Sequence, residues 1–187
     1  MSGDPSPMKY ILPSNDPWRG LGGEDGPPVF ITPAPFLLLE LAQWHAFRAH
    51  WPAAMPVGLR VANDADIEAL EPDLPRIGLV ALHFPKFSDG RAYSQARLLR
   101  ARFRFTGQIR ATGDVLVDML PLLARTGFDA VKLRADQSID AAERALHFFG
   151  GHYQGDLHEP RPLFALPADE VRQRASTPEF VDAGGSI

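Results

Sequence analysis

Cysteine is absent from all 187 residues of the chain. Its absence excludes disulfides, thiol redox chemistry, cysteine-ligated iron–sulfur clusters and a cysteine nucleophile. No haem-attachment motif is present, and none of the six histidines has the spacing of a known metal motif. We therefore predict no metal site, and the sequence identifies no cofactor.

A basic excess and a long apolar run are also missing. The chain has 19 Lys and Arg against 23 Asp and Glu, a formal net charge of −4, whereas general nucleic-acid binders usually carry a marked positive charge. The most apolar stretch, residues 36–42, contains Glu40 and is too short to cross a bilayer. The N-terminal residues lack the pattern of a secretory signal. We expect a cytoplasmic protein that binds neither nucleic acid nor membrane.

A regular middle part lies between two irregular ends. The hydrophobic share of 45% and the charged share of 22% are typical of a folded globular protein. Proline and glycine are frequent in residues 1–28, which predicts an irregular arm with a short strand at residues 9–12. Residues 156–187 are predicted to form a proline-rich tail with at most a short helix at residues 168–175. The domain between them covers residues 29–155.

The middle part alternates strand patterns with helix patterns. The predicted strands are residues 29–31, 57–62, 77–84, 108–111 and 130–134. The predicted helices are residues 35–51, 66–69, 90–105, 115–125 and 139–149. This alternation is typical of βαβ crossovers and a parallel sheet. We predict an α/β fold with a mostly parallel sheet of four to five strands, either open and doubly wound or half-barrel-like.

Several residues are predicted to begin or end these helices. The predicted N-caps are Asn63, Asp64 and Ser138, because their side chains can accept a bond from a free helix amide. Gly107 and Gly127 are predicted to take the left-handed conformation after a helix. Pro121 predicts either a kink or the first turn of a shorter helix.

Polar residues follow the predicted strands at the edge where ligands of parallel sheets usually bind. The densest group lies after residues 77–84, at a helix start, where free amides and the helix dipole favour an anion. The candidate anion-binding residues are Lys86, Ser88, Asp89, Gly90, Arg91, Tyr93, Thr112 and Asp114. The alternative is that Ser88 or Asp89 only caps the helix while Lys86 and Arg91 lie in solvent.

Six arginines and no acidic residue lie between residues 91 and 110. On the predicted helix, Tyr93, Arg97, Arg100 and Arg104 share one stripe, opposite an apolar stripe that would face the sheet. The candidate partner-binding residues are Arg97, Arg100 and Arg104. The alternative is a solvated basic face, which is common on helices.

Three runs of the sequence resemble an uncharacterised bacterial family of unknown function, often encoded beside assimilatory sulfite reductase and labelled an oxidoreductase of sulfite reduction. They are FPKFSDGRAYSQARLLR (residues 84–100), RATGDVL (110–116) and GFDA (127–130). The resemblance covers about residues 9–155, including DPW (16–18) and VGLR (57–60), and implies a cytoplasmic protein of sulfur assimilation. The family pattern has cysteine where this chain has Thr126, so a thiol mechanism does not carry over.

Three functions stay open at this point. The first is an accessory protein of assimilatory sulfate or sulfite reduction that binds a small anion or a partner enzyme through residues 86–104. The partner that the resemblance implies is sulfite reductase or another sulfur-assimilation enzyme. The second is a small-molecule enzyme acting on an anionic substrate at the C-terminal ends of the strands, for which the sequence identifies no catalytic residue. The third is a structural homodimer without catalysis.

Overall fold

The structure, a computed structural model, describes residues 8–21, 30–147 and 167. These residues form an α/β fold whose all-parallel sheet of seven strands curls into a half-barrel. The strands are β1 (Lys9–Tyr10), β2 (Arg19–Gly20), β3 (Leu37–Glu40), β4 (Val57–Val61), β5 (Ile77–Phe84), β6 (Gln108–Gly113) and β7 (Ala130–Val131). The α-helices are α1 (Leu41–Phe47), α2 (Arg91–Ala101), α3 (Leu120–Arg125) and α4 (Ile139–His147). Short 3₁₀ segments occur at Arg48–His50, Glu68–Arg76 and Val117–Met119.

The strands from β2 to β7 are neighbours in chain order, and β1 lies beside β7. When consecutive parallel strands are neighbours, crossovers of the usual right hand place every helix on the same face. A doubly wound sheet carries helices on both faces instead. The half-barrel alternative of the prediction is therefore the correct one.

Alternate residues of each strand divide between the two faces of the sheet. On β5, Val80, Leu82 and Phe84 belong to the main buried core, together with helix residues such as Leu99 and Leu123. This core lies between the sheet and the helices. We call the opposite, helix-free face the inner face.

The inner face carries a smaller apolar cluster of its own. Leu38, Leu79 and Ala81 form it, with Trp18 packed against them. Because the helices do not cover this face, its other residues are free to be polar.

Residues 11–18, which we call the crossing segment, run from one edge of the sheet to the other. They must do so because β1 and β2 occupy opposite edges of the seven strands. A flat sheet of that width would measure about 29 Å at roughly 4.8 Å per strand, which is close to the full extended reach of so short a segment. A turn at Asn15, whose amide bonds to the carbonyl of Leu12, shortens it further. The curl of the sheet brings the two edges within its reach.

The predicted number of strands is too small, because β2 and β3 match no predicted strand. Strand β1 lies within the short strand predicted at residues 9–12. Strand β3 occupies the first part of the predicted helix at residues 35–51, and its three leucines are buried. The helix begins only at Leu41, where the side-chain oxygen of Gln43 accepts a bond from the amide of Glu40 at 2.8 Å. Of the predicted strand at residues 29–31, Phe30 and Ile31 are not in a strand and residue 29 lies outside the described residues.

Two predicted helix boundaries are wrong. Helix α2 ends at Ala101, and the left-handed residue after it is Arg104, with φ 52°, rather than Gly107. Gly107 instead permits a close approach, since a Cβ there would lie 2.9 Å from the carbonyl oxygen of Gly78. Asn63 and Asp64 do not cap the segment that follows them. Asp66 accepts the bond from the amide of Glu68 at its start, at 2.9 Å.

Other local predictions agree with the structure. Strand β5 has the predicted bounds, Gly127 has φ 97°, and Pro121 lies in the first turn of α3. Ser138 accepts a bond from the amide of Ala141 at the start of α4. Strand β7 has only two residues of the predicted 130–134. The predicted helix at residues 168–175 lies outside the described residues, as does the predicted tail apart from Pro167.

None of the helices that the structure describes has the length and apolar character needed to cross a membrane.

We predict that the core between sheet and helices dominates stability. Leu82→Ala removes a fully buried side chain from the central strand and should lower the free energy of unfolding by about 2–5 kcal/mol. Leu122→Ala, which removes a side chain that is 43% exposed, should change it by less than about 0.5 kcal/mol. Urea unfolding followed by circular dichroism measures both, and equal effects would contradict this account of the core.

Candidate functional site

The loops after the strands converge at the C-terminal edge of the sheet, but their charges pair with one another. Asp89 accepts two bonds from the side chain of Arg91 and one from the side-chain Nδ2 of Asn63, the last at 2.6 Å. The bond from Arg91 is the main reason that the pKa of Asp89 falls to about 2. This part of the predicted site is an internally neutral pair.

A second ionic group at this edge joins three loops. The carboxylate of Asp114 accepts the backbone amide of Phe87 at 2.9 Å and the guanidinium of Arg134 at 2.7 Å. The amide of Phe87 is the first cause of the lowered pKa of Asp114, and Arg134 the second. Arg134 also bonds to Asp136, lowering the pKa of that carboxyl to about 2, while its own pKa is raised by its two acidic partners. Here two carboxylates share the single cation Arg134, so this group offers no unpaired positive charge to an anion.

The remaining candidates at this edge do not assemble around a common point. Lys86, Ser88 and Gly90 are exposed, and no ion pair in the described part of the chain involves Lys86. Tyr93 turns away to the helix side, where its ring lies 5.1 Å from that of Phe84, and burial raises its pKa.

The candidate basic stripe of α2 is not continuous. Arg97 is exposed, but Arg104 lies beyond the end of the helix. Arg100 is half-buried, donates bonds to the carbonyls of Gly127 and Gly107 and pairs with Asp129. Because its donors are used to join loops of the same chain, Arg100 belongs to the fold rather than to an open basic surface.

A pocket of about 540 Å³ lies on the inner face. Residues from the crossing segment and from strands β2 to β6, with two residues after β7, form its walls. The described lining residues are Asp16, Trp18, Gly20, Leu38, Arg60, His83, Arg110, Thr112, Gly113, Lys132 and Leu133. Of the sequence-predicted site residues, only Thr112 is among them.

Two arginines of this pocket lie in one row across the sheet. Arg60 of β4 is the register partner of Ala81 on β5, and Ala81 is the partner of Arg110 on β6. At about 4.8 Å per strand, the backbones at Arg60 and Arg110 are about 10 Å apart. Ala81 between them is itself fully buried and belongs to the apolar cluster on which Trp18 packs.

Arg110 is the buried member of the pair, with only 2% of its surface exposed. Its guanidinium donates to Asp16 of the crossing segment at 2.8 Å and to the side-chain oxygen of Gln108 at 3.0 Å. Its Nε is also buried and has no hydrogen-bond partner among the described residues. A buried unpaired donor costs free energy, so this Nε adds to the cost of burying Arg110.

His83 and Thr112 form the rim of the pocket at the C-terminal end of the sheet. They are register partners on β5 and β6, and Thr112 donates to the carbonyl of Leu82 at 3.2 Å. Gly113 follows, with φ 95°, and a Cβ there would lie 2.7 Å from the His83 ring. Glycine therefore lets the imidazole lie against the end of β6.

Lys132, which directly follows β7, is the third cation of the pocket. Its amide bonds to the carbonyl of Ala111 at 2.9 Å, which continues the β6–β7 ladder. Its side chain is exposed and makes no ion pair among the described residues.

Sequence reasoning missed most of this pocket. A usable signal was present in the strands, since Arg60, His83 and Arg110 each stand at an alternate position of an otherwise apolar run. Such a pattern indicates that one face of the sheet is polar. No local signal marks Asp16 or Trp18, whose roles depend on contacts with distant strands.

No cluster of three or more histidine, aspartate and glutamate side chains suited to a metal ion occurs in residues 8–21 and 30–147.

We predict that the buried Arg110–Asp16 ion pair stabilises the fold more than the exposed Arg60–Glu40 ion pair. Asp16→Asn leaves the charge of Arg110 buried without a carboxylate and should lower the free energy of unfolding by about 3 kcal/mol. Glu40→Gln removes the partner of Arg60, in a pair with both side chains nearly half exposed, and should cost no more than about 1 kcal/mol. Chemical denaturation compares the two, and a larger loss for Glu40→Gln would contradict the ranking.

We also predict that Asp89 and Asp136, at the C-terminal edge, titrate well below the usual pKa of an aspartate. The folded pKa values of Asp89 and Asp136 are about 2, below the unfolded value of about 3.9. Their contribution to stability is therefore present above about pH 4 and is lost as the pH falls toward 2. Carboxyl ¹³C NMR titration should place both midpoints near 2, and Arg91→Gln should raise that of Asp89. A midpoint near 4 for Asp89 in the unsubstituted protein would contradict the pairing.

Comparison with known proteins places the chain in a family. No curated protein matches it. A family model described as "Bacterial protein of unknown function (DUF934)" matches residues 58–164, more than half of the chain. The match includes Arg60, His83, Arg110 and Lys132 of the inner pocket. The chain therefore belongs to this family of bacterial proteins of unknown function.

Proposed function

We propose that this protein binds an oxyanion in the inner pocket and acts as an accessory protein of sulfite reduction. The observation that carries the proposal is the charge of the pocket. Arg60, Arg110 and Lys132 come from three different parts of the sheet and line one cavity, where Asp16 is the only acidic residue among the described lining. Arg60 pairs with Glu40 beside the cavity and Arg110 with Asp16, while Lys132 makes no ion pair among the described residues.

The arrangement of the donors suits an oxyanion. Guanidinium groups form strong, charge-assisted bonds with carboxylate, phosphate and sulfate-type oxygens. Arg60 and Arg110 both line the cavity, where a bound anion would add to the carboxylates with which they already pair, Glu40 and Asp16. The rim residues His83 and Thr112 lie at the C-terminal end of the strands, where barrel proteins bind their ligands.

The sulfur context comes from the resemblance of residues 84–100, 110–116 and 127–130 to proteins encoded beside assimilatory sulfite reductase. Sulfite and sulfate are oxyanions of the kind that two arginines and a lysine bind. The proposed partner is sulfite reductase or another enzyme of sulfur assimilation, in the cytoplasm. Docking would use the exposed part of residues 86–104, which includes Phe87, with 56% of its surface exposed, and Arg97.

An enzyme acting on the bound anion is the second candidate. His83 favours it, because imidazole can exchange protons near neutral pH and this side chain lines the cavity that holds the cations. The discriminating result is turnover: an accessory protein binds the anion unchanged, whereas an enzyme releases a product. A homodimer without a ligand would show as a doubled mass in light scattering and no anion binding.

The proposal predicts a specific stabilisation by sulfate and by sulfite. Each should raise the unfolding temperature more than chloride at equal ionic strength, since a ligand at about a hundred times its Kd adds roughly 2.7 kcal/mol. The double variant Arg60→Gln, Lys132→Gln should lose most of this effect, because both side chains are exposed cations of the pocket. Differential scanning fluorimetry and calorimetric titration measure the change.

Two controls define the outcome. Arg102→Gln removes an exposed arginine that pairs with Glu68 outside the pocket and should leave anion binding unchanged. The double variant Lys86→Gln, Arg91→Gln tests the loop at the C-terminal edge. Loss of binding in that variant, with binding retained in the pocket variant, would move the site to the loop and refute the proposal.

A further inference from the structure

The inner pocket is larger than an inorganic anion requires. Its volume is about 540 Å³, whereas one water molecule takes roughly 30 Å³ of liquid and a sulfate ion is only a few times larger. Cavities of about 300–1,000 Å³ usually hold organic ligands. Most of the space would remain unfilled with an inorganic oxyanion bound to the cations.

The rest of the pocket has an apolar wall. Trp18, Leu38 and Leu133 belong to its lining. Trp18 lies closely against β4, since a Cβ on Gly58 would be 2.8 Å from its Cε3 atom. The ring of Phe36 meets the indole edge to face at a centroid distance of 5.5 Å. The indole is thus supported from the sheet and from one side before any ligand arrives.

Hydrogen bonds through Asp16 connect the apolar wall to the buried cation Arg110. The amide of Trp18 donates to the carboxylate of Asp16 at 3.1 Å, and the same carboxylate accepts the guanidinium of Arg110 at 2.8 Å. The flat ring and the buried positive charge are therefore held at a fixed separation by three consecutive residues of the crossing segment. A ligand that uses both must carry a flat group and an anionic group.

We propose that the ligand is an organic anion of about mononucleotide size, whose ring stacks on Trp18 and whose phosphate or sulfate group binds Arg60, Arg110 and Lys132. This inference rests on the proposed anion site and specifies its ligand class. A flat π-system is the partner that an indole face prefers, and stacking of a base on an aromatic side chain is strong enough to change affinity about tenfold.

Calorimetric titration of the full chain with four probes tests the inference. The probes are adenosine monophosphate, inorganic phosphate, hexyl phosphate and adenosine. Adenosine monophosphate should bind about tenfold or more tightly than the other three. Trp18→Leu should lower its affinity to that of inorganic phosphate without changing the affinity for phosphate, whereas Trp18→Phe, which keeps a ring, should retain most of it.

Intrinsic fluorescence gives a readout that does not depend on the stability of a variant. Trp44 and Trp51 are buried in the main core and Trp18 lines the pocket, so binding of the nucleotide should quench Trp18 in the unsubstituted protein. Equal binding of adenosine monophosphate and phosphate, without quenching, would overturn the stacking inference and leave the anion site in place. Binding of hexyl phosphate as tight as that of the nucleotide would contradict the claim that the ligand carries a flat ring. Failure of both phosphate and the nucleotide to bind would remove the proposed function itself.

Discussion

The ion pair between Arg110 and Asp16 is the interaction on which the inner face depends. It joins residues 94 positions apart in the chain and fixes the crossing segment against β6. Without the crossing segment, the inner face would be an open curved surface with an apolar patch and separate cations. With it, Trp18 packs over β4, the patch is covered, and the cations border a pocket that is open on one side. A buried charge without its partner is unfavourable, so Asp16 also compensates the burial of Arg110.

The half-barrel explains why charged side chains can stand on a parallel sheet. Parallel strands are usually buried on both faces and are apolar throughout. Here the helices bury one face only, and Val80, Leu82 and Phe84 of β5 supply it with a continuous core. The small residues Gly58 and Ala81 leave room for Trp18 to pack on the inner face. Polar side chains such as Arg60 and Lys132 lie around this cluster, where the face meets solvent.

The parts of the fold with a strong local pattern were predictable from the sequence. The eight apolar-rich residues of β5 and the repeated strand and helix patterns after it identify the parallel sheet, and Gly127 and Ser138 mark helix ends through their own chemistry. Strand β1 falls within a predicted strand, but β2 has only two residues, too few to show any period, and β3 merges with α1 in one leucine-rich run. Their positions are set by pairing with distant strands.

The candidate site shows the same division. The sequence correctly brings the loops after the strands to one edge, where Asn63 meets Asp89 and the amide of Phe87 meets Asp114. The sequence does not show that the charged side chains of these loops pair with one another, because partners such as Asp114 and Arg134 lie twenty residues apart. The inner pocket depends on a contact between residue 16 and residue 110, which no local pattern encodes.

The central claim is that an anion binds in the inner pocket, among the cationic side chains that line it. Anomalous diffraction from crystals soaked in selenate, an oxyanion shaped like sulfate, locates such an ion directly. The account predicts a selenium peak in the inner pocket, within hydrogen-bond distance of the Arg60 guanidinium or the Lys132 ammonium group. A peak at the Lys86–Arg91 loop, with the inner pocket free of selenium, would contradict it.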